Sequence, residues 1–196
     1  MVDFVSYFGL TKDTTLTKAA QSQVEIDIFH FAIHAGLGFY RTIYSADING
    51  SFISMFFKTP VYTTAQVHLL LHVTAAAESL LTIYEGGTLT VNNAGADVAP
   101  INRLRESTNT SLVSGFDTGA YVVNRVTANG VVTVGTATTI DQVPVGAGRK
   151  EGGGHDASWE LVLAGATPYC FNLAAVVASA DNVAHMTVNW FEVSPA

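Results

Sequence analysis

"AQVHLLLHVT" at 65–74 and "SLLTIYE" at 79–85 decide the fold. Val67, Leu69, Leu71 and Val73 recur at every second position, the period of a strand that buries one face. Leu81 and Ile83 repeat the pattern after a short link. That link, "AAAESLL" (75–81), holds helix formers but is short and lies between strand patterns. The strand reading also settles two histidines. His68 and His72 form an H-x3-H pair, which on a helix would place two imidazoles side by side as in zinc sites. In a strand, residues four apart share a face but lie roughly 13 Å apart, too far for one ion.

The same period runs outward in both directions. Strands are expected at 24–33, 38–44, 51–59, 65–74, 79–85, 110–116, 121–127, 130–136, 157–164, 168–177 and 182–193, separated by Gly, Asn, Asp and Pro. "TANGV" (127–131) sets Asn-Gly between two valine-rich runs and predicts a hairpin. His30, in the run "VEIDIFHFAI", and His34, directly after it, make a second H-x3-H pair, so they too are read as strand residues. Many short strands at this spacing predict an all-β, antiparallel β-sandwich, jelly-roll-like, over 24–196. Residues 1–23 lack the sandwich pattern and are expected to form an N-terminal arm. Glycine-rich stretches at 86–100 and 141–156 are expected to be long loops, where binding usually resides.

Composition narrows the function. Of 196 residues, 48% are hydrophobic and 13% charged, about half the usual charged share of soluble domains. So few charges suit either extensive subunit contact or a Thr-rich β surface. The net charge of −7 and the lack of a basic patch argue against a nucleic-acid partner. No apolar run reaches the length of a membrane span. The first residues carry neither a basic leader nor a long apolar core, so no signal peptide is expected. Cys170 has no second cysteine to pair with and reads as a small buried apolar residue.

No catalytic constellation stands out. A G-x-S-x-G elbow is absent, the carboxylates are scattered, and "GAGRKEGGGHD" (146–156) lacks the Lys-Ser/Thr ending of a phosphate loop. The chain is therefore expected to have no catalytic residues, no metal and no cofactor. The dense aromatics, from Phe29 to Phe57 and at Trp159, Trp190 and Phe191, read as a sandwich core. One acid–base grouping stands apart. Glu85 ends a strand at Gly86-Gly87, and Arg103 and Arg105 flank Leu104 on one face of an expected strand. A structural brace of Glu85 with these guanidiniums would fix the intervening loop. Carbohydrate or phosphate binding by the two arginines is the functional rival.

Three further segments carry a resemblance. Tyr84, Glu85 and Gly86 close a strand; Asn102, Arg103, Arg105 and Ser107 follow a loop; Trp190, Phe191 and Glu192 end the last strand. With "IHAGLGFY", "FFKTP" and "VHLLLHV" before them, these segments make residues 30–193 resemble the head decoration, or cement-like, structural proteins of tailed bacteriophages. Leu104 stands where that pattern has Asn. The resemblance implies a non-enzymatic virion protein, made in the host cytoplasm and carried on the capsid exterior. It implies a self-associating sandwich, a homotrimer, that binds the major capsid protein and strengthens the shell, with neither nucleic acid nor membrane as partner. Phe4, Tyr7, Phe8 and Leu10 of the arm are then expected to contact the capsid or a neighbouring subunit. The alternative is a phage tail or surface protein that binds host carbohydrate.

Overall fold

A computed structural model describes residues 28–91, 95–117, 120–123, 125–130, 132–146, 160–178 and 181–193. The expected arm with Phe4, Tyr7, Phe8 and Leu10 lies outside the described residues, as does 147–156. Among the described residues one helix, α1 (Ile28–His34), precedes β1 (Gly38–Ser45), β2 (Phe52–Lys58), β3 (Gln66–Ala75) and β4 (Ser79–Glu85). Short strands follow: β5 (Thr90–Val91), β6 (Ala96–Val98), β7 (Ile101–Asn102), β8 (Ser114–Asp117), β9 (Ala120–Val123), β10 (Val126–Ala128) and β11 (Val132–Thr133). The chain then forms β12 (Thr138–Val145), β13 (Leu161–Leu163), β14 (Pro168–Ala175) and β15 (Ala184–Val193).

The fold is an all-β sandwich of antiparallel strands. The first sheet has the order β13-β3-β15-β1-β7; the second has the order β12-β4-β14-β2-β10-β6, with β8 against β2 and β9. Alternation explains the packing. The first sheet turns Val67, Leu69, Leu71 and Val73 of β3 and Met186, Val188 and Trp190 of β15 inward. Ile53, Met55 and Phe57 of β2, Leu81 and Ile83 of β4, and Phe171 and Leu173 of β14 meet them from the second. Each such side chain contributes roughly 1.5–3 kcal/mol on burial. Trp190 bridges the layers, its ring 5.7 Å from Phe57 and 6.1 Å from Phe39.

A smaller cluster lies on the outer face of the second sheet. There Leu89 covers Phe56 and Cys170, beside Tyr84 and Ala137. Gly86 (φ +67°) and Gly87 (φ +62°) make this possible by turning the chain back over β4 and β14 in a conformation L side chains rarely adopt. A Cβ at Gly87 would lie 2.3 Å from the Ala137 nitrogen. The crossing chain then pairs β5 with β11 as a two-stranded patch.

Three expectations are corrected. Residues 28–34 form a helix, not a strand. Its end is a Schellman cap: Gly36 N–H donates to the Ile33 carbonyl (2.9 Å), Leu37 N–H donates to that of Ala32 (2.8 Å), and Gly36 has φ +69°. The Asn-Gly turn does not make a hairpin between β10 and β11. Asn129 adopts φ +55°, yet β10 pairs with β2 and β6 while β11 leaves to pair with β5. Ser54 holds the switch point: its carbonyl accepts from Asn129 N–H (2.7 Å) and its hydroxyl donates to the Gly130 carbonyl (2.7 Å). Finally, 138–145 is a full edge strand rather than loop. β12 pairs along β4, with a register shift between Thr139 and Asp141 and a proline at 144.

Candidate functional site

Outward-facing residues of the first sheet build the polar cleft. On β1, Phe39 and Ile43 point to the core, so Tyr40 and Thr42 point out. Register places Tyr40 opposite Asn189 and Thr42 opposite Thr187 on β15. The two threonine hydroxyls are hydrogen-bonded at 2.8 Å. Arg103 and Arg105 complete an open cleft of about 380 Å³ with these four residues. Arg103 donates from Nη1 to Asn189 Oδ1 at 2.8 Å, which aims its guanidinium across the β15 surface.

The arginine segment is held firmly, though not as a strand. β7 ends at Asn102, whose amide Nδ2 donates to the Gly36 carbonyl (2.9 Å) and to that of Asn109 (3.1 Å). Asn102 Oδ1 accepts from Leu104 N–H (2.9 Å), while Arg103 N–H donates to the Gly38 carbonyl (2.9 Å). Both guanidiniums are exposed. Such a pair, beside an aromatic ring and an amide, can take a carboxylate, sulfate or phosphate, or the hydroxyls of an acidic sugar.

Glu85 does not join them. Its Oε2 accepts from the Tyr169 hydroxyl at 2.5 Å, across the β4–β14 register that sets Tyr169 opposite Glu85. Tyr169 Oη in turn accepts from Ala164 N–H at 2.7 Å. Burial, then the hydrogen bond to Glu85, pushes the Tyr169 phenol well above its ordinary value. The brace expected between Glu85 and Arg103 or Arg105 is thus replaced by a carboxylate–phenol pair that ties β4 and β14 to the loop after β13. Arg103 and Arg105 serve the first-sheet cleft instead.

Glu192 is a buried acid that sequence reasoning named only as part of a motif. It points inward at the end of β15 and is 4% exposed. Oε1 accepts from the Ser111 hydroxyl (2.5 Å) and from Trp190 Nε1 (3.0 Å), and Oε2 accepts from Leu112 N–H (2.9 Å). Burial raises its pKa, and these hydrogen bonds oppose the rise. The carboxylate pins 111–113 over the end of the core, beside a cleft of about 410 Å³ that Leu37, Phe39 and Asn109 help to line.

The opposite end has its own hub. Asn182, fully buried, accepts through Oδ1 from Ala77 N–H (2.9 Å) and donates through Nδ2 to Ser79 Oγ (3.2 Å). Its backbone carbonyl accepts from Ile48 N–H (3.0 Å). Ala76 N–H donates to the Val183 carbonyl and Val176 N–H to that of Glu78, both at 2.9 Å. The loops so tied present Val176, Val177 and Val183 at 54%, 50% and 40% exposure.

No protein-family model, curated protein or solved structure matches the chain. Among the described residues there is no group of three or more His, Cys, Asp or Glu side chains placed to hold a metal ion. His68 pairs with Glu160 (2.5 Å) and stacks on Phe191 at 4.6 Å, while His72 meets His185 edge-on at 5.9 Å. Neither pairs with the other along β3, as strand spacing requires. No described helix is long and apolar enough to cross a membrane.

Proposed function

We propose that this chain is a virion structural protein of a tailed bacteriophage, a decoration protein that coats the outer surface of the head as a homotrimer and stabilises the shell. The sequence segments ending at Gly86, Ser107 and Glu192 support the phage assignment by resemblance. The order of the long strands supports the architecture: β1, β15, β3 and β13 in one sheet face β2, β14, β4 and β12 in the other. β1 to β4 alternate between the layers, β4 and β12 pair in one, and β12 to β15 alternate again, which supports a jelly-roll reading, a form used by viral capsid and lectin domains.

The observation that carries adhesion is the valine tip. Three exposed valines sit on loops tied by a buried asparagine whose amide both accepts and donates hydrogen bonds. An apolar surface that is already ordered loses little entropy on docking. A protein that binds the assembled lattice and not its free subunits raises the lattice's stability by mass action. Three copies joined together multiply weak contacts.

The test is direct. The purified chain should have a trimer mass by light scattering and should bind phage heads stripped of it. Val176→Asp with Val177→Asp should weaken that binding, and deletion of residues 1–20 should lower occupancy. A strictly monomeric protein that ignores heads overturns the proposal. The arginine cleft favours one second reading, recognition of acidic host carbohydrate. Binding on a glycan array that disappears in the Arg103→Ala, Arg105→Ala double variant would select it.

A further inference from the structure

The strand argument that removed His68 and His72 from metal chemistry does not apply to His30 and His34, because their segment is helical. On α1 the i, i+4 spacing brings the two rings together on one face. Their Nε2 atoms are 3.0 Å apart, with ring centroids at 4.6 Å and planes at 59°. Both residues are exposed. The last turn that carries His34 is fixed by the Schellman cap at Gly36, so the pair stands on an ordered support.

We propose that His30 and His34 form a two-imidazole clamp for one divalent transition-metal ion of the zinc, nickel or copper class. An ion about 2.0–2.1 Å from each nitrogen requires the two nitrogens to be about 2.9 Å apart at a right angle and about 3.3 Å apart at the tetrahedral angle. The observed separation falls between these limits, so an ion displaces the proton of the ring-to-ring hydrogen bond with little change in the spacing of the two nitrogens. Imidazole donors select such ions over magnesium or calcium, which take oxygen ligands. Water completes the coordination. The clamp stands independently of the capsid proposal, since it rests on α1 alone.

β3 supplies an internal control, for His68 and His72 have the same sequence spacing in a strand. The experiment uses the full chain without a polyhistidine tag, titrated calorimetrically with zinc chloride and nickel chloride. The expected result is one saturable site per chain, lost in His30→Ala and in His34→Ala and retained in the His68→Ala, His72→Ala double variant. Electron paramagnetic resonance of the unmodified protein with one equivalent of copper(II) needs no variant and should show two nitrogen ligands. A spectrum with oxygen ligands only, an absence of saturable binding, or binding unchanged by both α1 substitutions overturns the proposal.

Discussion

At the scale of single residues, Glu192 concentrates the most consequence. It accepts from a hydroxyl, an indole and a backbone amide inside the sandwich end. Glu192→Ala strands all three donors and should cost about 3 kcal/mol in chemical denaturation. Glu192→Gln, which keeps the shape and one acceptor oxygen, should cost less than half of that. The folded chain holds a proton on Glu192 more tightly than the unfolded chain does. Its contribution therefore falls as pH rises from the ordinary carboxylate value of about 4.3 through the higher folded value, and Gln should remove that slope. His185 has the opposite sense. Burial first, and the neighbouring His72 second, lower its pKa. The folded chain then binds this proton less well than the unfolded one, so stability should drop as pH falls below about 6.5 and level off beneath the folded value. His185→Gln should flatten stability against pH in that window. Cys170 is simpler: burial pushes its thiol up to about 12. A thiol reagent at neutral pH should leave it unmodified in the native protein and label it after denaturation.

At the scale of elements, the double-glycine turn decides whether the outer face of the second sheet is covered. Gly87→Ala combines a left-handed φ with a Cβ driven into the Thr136–Ala137 backbone. It should lift Leu89 from Phe56 and Cys170, lowering stability by roughly 2–4 kcal/mol and making the Cys170 thiol reactive, read by denaturation and labelling together. Legibility follows the same physics. β1, β3 and β15 were readable because they alternate, and β2, β4 and β14 because they are short apolar runs between breakers, buried on both faces where Leu89 covers Phe56 and Cys170. α1 was not, because Val24, Ile26 and Ile28 alternate up to its first residue. Its readable signal was Gly36, a helix-ending glycine two residues past His34. β12 hid because its side chains are mostly exposed and Pro144 reads as a breaker. Glu85 was expected to meet Arg103 or Arg105, but its partner is Tyr169, 84 positions away. Only the β4–β14 register brings them together, and no local pattern encodes that register.

At the scale of the whole molecule, the margins of the two sheets matter as much as their faces. The first sheet is bounded by β13 and β7, three and two residues long. The second ends in β6, of three residues, in β9, of four, on the β8 branch, and in β12, which carries a register shift between Thr139 and Asp141 and a proline at 144. Pro144→Val restores one N–H to that long margin. It should increase concentration-dependent aggregation, read by light scattering over a dilution series, with little change in monomer stability. Short margins, and a long one carrying a bulge and a proline, oppose strand-to-strand growth from one copy to the next. On the proposed reading, copies would meet through broad surfaces or loop ends, and such contacts give a finite ring when their rotation closes and a filament when it does not.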